Sequence, residues 1–232
     1  MTYKMYLMSI TGLDEEYLWQ DAMCLLDNSR KEIVHKYRNE KDRMRAIVAG
    51  LLLQIGFMEL EPDTSFAQMT EENFYLLDSK KCVEYLKELS IKMSGIFPVE
   101  LTYGTGEQGK PFWNKVLLQN VTSKLGLPDK KLWYFNLSHS GKYVALIVAD
   151  VEVGVDIQEE REVKKFPGGY RAFSRMEAFV KCTGEGYAKG YREYKNHEGH
   201  IPGYEIQSIR SIDSYALNIC FSIGDRYGVE KL

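Results

Sequence analysis

The amino-acid sequence predicts an α+β fold. Three observations carry this expectation. Helix-like and strand-like segments mix without regular alternation, which argues against a parallel sheet of βαβ units. One long helical signal, Asn28 to Phe57, ends in AIVAGLLLQIGF, a run apolar all round that must be buried. Strand-like runs fall in neighbouring pairs, LWYFNLSHS with YVALIVADV and YEIQSIRSI with YALNICFSI. With 232 residues, 44% of them hydrophobic, the chain can bury one large core or two small ones.

Taken in order, Lys4 to Ile10 reads as a first strand and Asp14 to Leu26 as a helix. The Asn28–Phe57 signal is expected to contain a break; its first part, SRKEIVHKYRNEKDRMR, is highly charged and its second part is apolar. Residues 61–95 are polar and mixed, with a helix over Ser79 to Lys92. FPVELTYG (Phe97–Gly104) reads as a strand and GTGEQGKP as a loop. Asn114 to Leu125 reads as a helix, ended by Gly126 and Pro128. The two runs around Ser140–Lys142 form a turn-linked pair, since Ser-Gly is a turn signal. VGVDI continues as a strand, Phe173 to Cys182 suits a helix closed by Gly184 and Gly186, and the last two runs pair antiparallel.

The net charge of −3 argues against a general nucleic-acid binder. Four cysteines (Cys24, Cys82, Cys182, Cys220) lie far apart with no CxxC pair, so free thiols in a reducing compartment are expected, with disulfides or a zinc site as the alternative. The N-terminus lacks the apolar core of a signal peptide, and no run reaches the roughly 18 apolar residues of a membrane helix. The expectation is a soluble cytoplasmic protein.

Gly104, Gly106 and Gly109 spell GxGxxG after a strand, but no βαβ unit surrounds them. A loop whose backbone approaches a ligand suits them better. Asp156 sits among Val153, Val155 and Ile157, where a carboxylate needs a partner, a proton or a cation. It is either a structural carboxylate capping a turn or a ligand. Glu177 and Lys181, at i and i+4, share one helix face. They form a surface salt bridge, or they join Asp156 in holding Mg²⁺ and a phosphate. Mg²⁺ takes one or two carboxylates and completes its shell with water and substrate phosphate. His139 is a core histidine or the base of a hydrolase using Ser138 or Ser140, although no GxSxG elbow is present. His197 and His200, in NHEGH, read as solvated. Asp27 to Arg45 carries seven basic and four acidic residues, which suits a solvated helix face or a phosphate-rich ligand.

FNLSHSG, VGVDIQ and MEAFVKCTGEG, with GKP upstream, together resemble the Sfp-type 4′-phosphopantetheinyl transferases. That family shows a GKP loop, an F-N-x-S-H-S block, a G-x-D-x-E strand and a W-x-x-K-E-x-x-x-K helix. The resemblance implies a pseudo-dimer of two similar α+β halves, 1–150 and 151–232, with the active site between them. It implies transfer of phosphopantetheine from coenzyme A to a serine of an acyl or peptidyl carrier protein, releasing 3′,5′-ADP. By similarity, Asp156, Gln158 and Glu177 hold Mg²⁺, and Glu177 and Lys181 act on the reacting groups. Ser138, His139, Arg30 and Arg45 contact coenzyme A phosphates, and Gly109, Lys110 and Pro111 hold its adenine end. Two fused halves make a monomer sufficient.

The sequence departs from the family pattern in named places. Gln158 stands where the family has a second strand carboxylate, Phe173 where it has tryptophan, and Met176 where it has lysine. Only 21 residues separate Asp156 from Glu177, and the R-F-F-S-x-x-E element that helps dock the carrier is missing. The alternative is therefore a non-catalytic relative that binds coenzyme A or a carrier.

Overall fold

The computed structural model describes residues 1–13, 15–60, 67–93, 97–101, 103–114, 119, 122–123, 132–160, 166–209 and 212–224. Ten strands and six helices are present among them. The order is β1 (Tyr3–Ser9), α1 (Glu16–Cys24), α2 (Asn28–Lys36), α3 (Glu40–Phe57), β2 (Ala67–Glu71), β3 (Phe74–Leu77) and α4 (Ser79–Lys92). Then come β4 (Tyr103–Thr105), β5 (Pro111–Trp113), β6 (Tyr134–Ser140), β7 (Tyr143–Ala149) and β8 (Val153–Glu159). Helices α5 (Gly169–Thr183) and α6 (Tyr187–Asn196) and strands β9 (Tyr204–Ile209) and β10 (Tyr215–Ser222) complete it. The protein is α+β, as the sequence predicts.

The expected break in the long helical signal is real. Asn39 is extended and its side chain accepts from the Lys41 and Asp42 amides, so one helix ends and α3 begins at Glu40. The helix expected over 114–125 falls largely outside the described residues. Two strands, β2 and β3, lie inside the stretch read as polar and mixed. Helix α6 follows the two glycines expected to end the helical region.

The FPVELTYG strand is a correction. Residues 97–101 form no strand, and only Tyr103 and Gly104 enter β4. Phe97, Val99 and Leu101 alternate into the core, which gives the strand-like pattern. At Val99, the middle of the run, the backbone partner is a side chain, while the Phe97 N–H donates to the Met93 carbonyl (3.3 Å). The buried Gln54 amide donates to the Val99 carbonyl (2.8 Å) and accepts from the Val99 N–H (3.1 Å).

The strands form a five-stranded sheet, β2-β3-β1-β7-β6, a three-stranded sheet, β8-β10-β9, and the hairpin β4-β5. One connection pattern recurs. A strand (β1 or β8) leads through helices to a hairpin (β6-β7 or β9-β10), and the hairpin's second strand lies in the middle, antiparallel to both neighbours. Alternation along the strands sorts the core into layers. Tyr6, Met8, Val144, Leu146 and Val148 meet α3 on one side, while Met5, Leu7, Ala145 and Ile147 face Val155, Ile157, Leu217 and Ile219 of the second sheet. The outer face of that second sheet carries Cys220 against Ala178, Phe179 and Cys182 of α5.

The edges of the two sheets meet along β6 and β8. Asn136 Oδ1, Ser138 Oγ and Ser140 Oγ accept the N–H groups of Val155 (3.1 Å), Ile157 (3.2 Å) and Glu159 (2.8 Å). Three side chains at i, i+2 and i+4 thus do for β8 what a neighbouring strand's carbonyls would do. An edge strand has a row of N–H groups that burial would leave unpaired. This explains why β6 alternates Asn, Ser and Ser on one face.

Candidate functional site

The site lies on the β6–β8 seam, under α5. Asp156 points from β8 and is 4% exposed. Its Oδ1 accepts from Lys181 Nζ (2.6 Å) and from the Ser138 hydroxyl (3.0 Å). Lys181 Nζ also donates to Ser138 Oγ (2.9 Å), which already accepts from the Ile157 N–H. One proton and two lone pairs are all a hydroxyl has, so Ser138 is fully used. A phosphate contact by Ser138 requires one of these bonds to break. Asp156 Oδ2 is different: it is buried and has no hydrogen-bond partner among the described residues. A buried carboxylate oxygen without a donor suits a cation.

The helix above is placed by a glycine. A Cβ at Gly154 would collide with the Ala178 carbonyl oxygen and the Cys182 amide nitrogen, both backbone atoms of α5. The missing side chain lets α5 lie directly on β8. Behind Asp156 a buried polar row fixes the same helix. Ser208 Oγ donates to Asn218 Oδ1 (2.6 Å), Asn218 Nδ2 to Ser174 Oγ (3.0 Å), and Ser174 Oγ to the Asp156 carbonyl (3.0 Å). Asn218 stands opposite both Ser208 and Asp156 in the strand register. Ser174, Glu177 and Lys181 then follow along one side of α5.

Glu177 is half-buried in this arrangement. Burial pushes its carboxyl above the ordinary value, and the charge of Asp156 adds to the rise, while Lys181 opposes it. A carboxyl whose proton affinity is raised beside a second carboxylate marks a cation site or a shared-proton site. Gln158 lies on the same face of β8 as Asp156, two residues on, and its amide donates to Ser140 Oγ (3.4 Å). Among the described residues no three His, Cys, Asp or Glu side chains converge. The donor set is two carboxylates and one amide, which fits the sparse protein ligation of Mg²⁺.

A cleft of about 220 Å³ opens beside Lys181. It is lined by Gln108, Gly109, Lys110 and Pro111 of the β4–β5 hairpin, by Asn136 and Leu137 of β6, and by Val180, Gly184, Gly186 and Tyr187. The Gly-Lys-Pro loop and the α5 lysine, remote in sequence, therefore share one wall of space. Gly109 takes a left-handed φ of 82° at the hairpin turn, and the GxGxxG stretch is this hairpin, with no dinucleotide unit around it among the described residues. Lys110 does not project freely. Its ammonium pairs with Glu152 and bonds the Cys182 carbonyl at the end of α5, where a cation is favoured. Partial burial and the neighbouring Glu177 carboxylate hold the Tyr187 phenol above its ordinary value.

The other expected residues stand elsewhere. Arg30 is buried, with its guanidinium 4.9 Å from the centre of the Tyr103 ring. Burial lowers its pKa, and Tyr103 and Asp27 oppose that. Arg45 is tied to the Gly141 carbonyl through Nη2 (2.6 Å) and Nε (3.1 Å), and to Asp42 (3.0 Å). It lines a separate hollow of about 360 Å³ with Lys41, Lys142, Glu159 and Tyr215. His139 is exposed on β6 and faces away from Ser138 and Ser140, because consecutive strand residues alternate. That removes the Ser-His pair a hydrolase would need. Arg30, Arg45 and His139 are not among the cleft's lining residues. Sequence reasoning missed Asn136, Gly154, Ser174, Asn218 and Tyr187. The alternation of Asn, Ser and Ser in β6 was the available signal for the first.

All four cysteines are free thiols, three of them buried. No helix among the described residues is long and apolar enough to cross a membrane.

No protein-family model matches the chain. A curated 4′-phosphopantetheinyl transferase of Bacillus subtilis is 24% identical to it over 169 residues, covering 58% of this chain and 69% of that protein. By its sequence, over more than half its length, the chain is similar to a 4′-phosphopantetheinyl transferase.

Proposed function

We propose that this protein is a Mg²⁺-dependent 4′-phosphopantetheinyl transferase of the Sfp type, acting on a serine of an acyl or peptidyl carrier protein. The observation that carries the reading is Asp156. Its unpartnered Oδ2 lies beside Lys181 and within electrostatic reach of Glu177, next to a cleft walled by Gly109, Lys110 and Pro111. The similarity to a curated transferase supports it independently.

Asp156 and Glu177, with the Gln158 amide, would hold Mg²⁺. When bound, the ion supplies charge neutralisation at the pyrophosphate oxygens. The chain's own residues do the rest. Lys181 places its ammonium at the cleft, where it meets phosphate charge. Gly109 and Pro111 shape the cleft for the adenine end of coenzyme A, and Lys110 holds that hairpin onto α5. Glu177 accepts the carrier serine's proton, and a carboxylate with a raised pKa is the better base near neutral pH. The serine oxygen bonds to the β-phosphorus as the bond from that phosphorus to the bridging oxygen breaks, and 3′,5′-ADP leaves. Phosphoryl transfer of this kind is mostly positioning and charge neutralisation. Ser138 acts here through Asp156 and Lys181, which it bonds together.

The recurring strand–helix–hairpin pattern supports two fused halves, 1–150 and 151–232, working as a monomer. Four free thiols suit a reducing cytoplasm. The test is the intact mass of an apo carrier protein after incubation with this protein, coenzyme A and Mg²⁺. A gain of one phosphopantetheine, abolished by EDTA and by Asp156→Ala, is expected. The rival reading, a non-catalytic coenzyme A binder, draws on Gln158, whose amide adds no charge to the cation site. It predicts coenzyme A binding by calorimetry with no mass gain on any carrier.

A further inference from the structure

The cleft beside Lys181 is lined by a cation that suits phosphate and also by an aromatic side chain, Tyr187, that the reading above does not use. We propose that Tyr187 is the stacking platform for the nucleobase of the coenzyme A-type substrate. The inference rests on the coenzyme A reading of the same cleft.

Three observations carry it. Tyr187 lines the cleft and is 51% exposed, a large aromatic left open to solvent at the site. Its ring is held in place: it lies parallel to Tyr191, with an interplanar angle of 5° and centroids 5.8 Å apart. Tyr191 is in turn braced edge-on by Phe166, at 6.2 Å. One face of Tyr187 is thus covered by Tyr191, which orients the ring before any ligand arrives and reduces the ordering cost of binding. Gln108, Gly109, Lys110 and Pro111 of the β4–β5 hairpin line the same cleft, and among them Pro111 offers a rigid apolar surface. Gly186, just before the tyrosine, keeps the space narrow, because a Cβ there would strike the Gln108 side chain.

A cleft lined by a half-exposed tyrosine and a proline suits a planar, weakly polar group. The group on coenzyme A with that shape is its purine base, and the phosphates attached to it would then point toward Lys181. Base–aromatic stacking is a large term for a single side chain. A competing place for the base exists. The hollow of about 280 Å³ on the far side of Lys110–Pro111 is lined by Phe112, Trp113, Trp133 and Tyr134. It is richer in aromatic surface but lies away from Lys181, which is not among its lining residues.

The experiment compares two probes by calorimetry in the presence of Mg²⁺: 3′,5′-ADP, which carries the base, and inorganic pyrophosphate, which does not. Tyr187→Ala should weaken 3′,5′-ADP about tenfold and leave pyrophosphate within about twofold. Tyr187→Phe, which keeps the ring, should bind 3′,5′-ADP like the native protein. Equal weakening of both probes in Tyr187→Ala would overturn the proposal, as would a Tyr187→Phe defect as large as that of alanine. So would a selective loss of 3′,5′-ADP in Phe112→Ala with none in Tyr187→Ala, which places the base in the other hollow. A native protein that binds 3′,5′-ADP while Tyr187→Ala changes nothing sinks only the role of Tyr187. A native protein that binds neither probe nor coenzyme A sinks the coenzyme A reading as well.

Discussion

Asp156 and Lys181 form an ion pair of 2.6 Å between a strand and the helix packed on it, with the carboxylate 6% and the ammonium side chain 27% exposed. A buried carboxylate that loses its partner keeps its desolvation cost and loses the compensation. Lys181→Met should therefore cost about 2 kcal/mol in urea unfolding, less than a fully buried pair because Lys181 is partly solvated. Asp156→Asn combined with Lys181→Met should recover about 1 kcal/mol or more of that loss. Strict additivity of the two substitutions would mean that the pair contributes nothing to stability.

Glu177 is the group whose ionisation opposes folding. Burial first, and Asp156 second, hold its carboxyl above the ordinary value. The native protein binds that proton more tightly than the unfolded chain does. Its favourable contribution is complete below the unfolded carboxylate pKa and is lost as pH rises through the raised native one. Glu177→Gln should thus raise Tm by about 2 °C at neutral pH without added metal, with the gain vanishing toward about pH 4. The same variant should lose transfer by about 100-fold or more, since an amide takes no proton. Thermal scans across pH, run beside the carrier mass assay, check both halves. A Tm gain that persists unchanged at acid pH would contradict the assignment.

Much of this arrangement was legible in the residues. The all-apolar AIVAGLLLQIGF has only one use, a buried helix, and α3 is buried from Ala46 through Phe57. The i, i+4 spacing of Glu177 and Lys181 put them on one face, and the isolation of Asp156 among valines marked it as needing a partner. The failures have physical causes. Phe97, Val99 and Leu101 alternate like a strand because they are buried on one side, but the Val99 backbone is bonded by Gln54, far upstream, and not by a neighbouring strand. Helix α6 hides behind Gly184 and Gly186, which read as the end of the helical region, and no expectation covers its tyrosines, one of which packs on Phe166. Arg30 is expected to contact coenzyme A phosphates from a basic helix, and nothing local announces that it is buried with its guanidinium over the Tyr103 ring.

Gly154 predicts the cost of moving α5. A methyl group at this position meets backbone atoms, the Ala178 carbonyl oxygen and the Cys182 nitrogen, and backbone cannot rotate away as a side chain can. The helix must shift as a body. Gly154→Ala should cost about 3 kcal/mol, the upper end for overpacking, in urea unfolding. It should also separate Glu177 and Lys181 from Asp156, so transfer should fall further than the lost stability explains. Measuring transfer at a temperature where the variant is fully folded isolates the second effect. Native activity there would show that α5 tolerates the shift.

The side chains that join β6 to β8 give the most local prediction. Asn136, Ser138 and Ser140 accept from three N–H groups of β8 that would otherwise be buried and unpaired. Asn136→Ala should cost about 1–3 kcal/mol by stranding the Val155 amide, and Ser138→Ala should strand the Ile157 amide and loosen Lys181 as well. Hydrogen exchange read residue by residue locates each loss. Val155 should exchange faster in Asn136→Ala and Ile157 in Ser138→Ala, beyond any change in global stability. His139→Ala, on the opposite face of the same strand, should leave both amides as protected as in the native protein. If His139→Ala exposes them equally, the seam is held by the strand as a whole and the three-residue row is not the device that joins the two sheets.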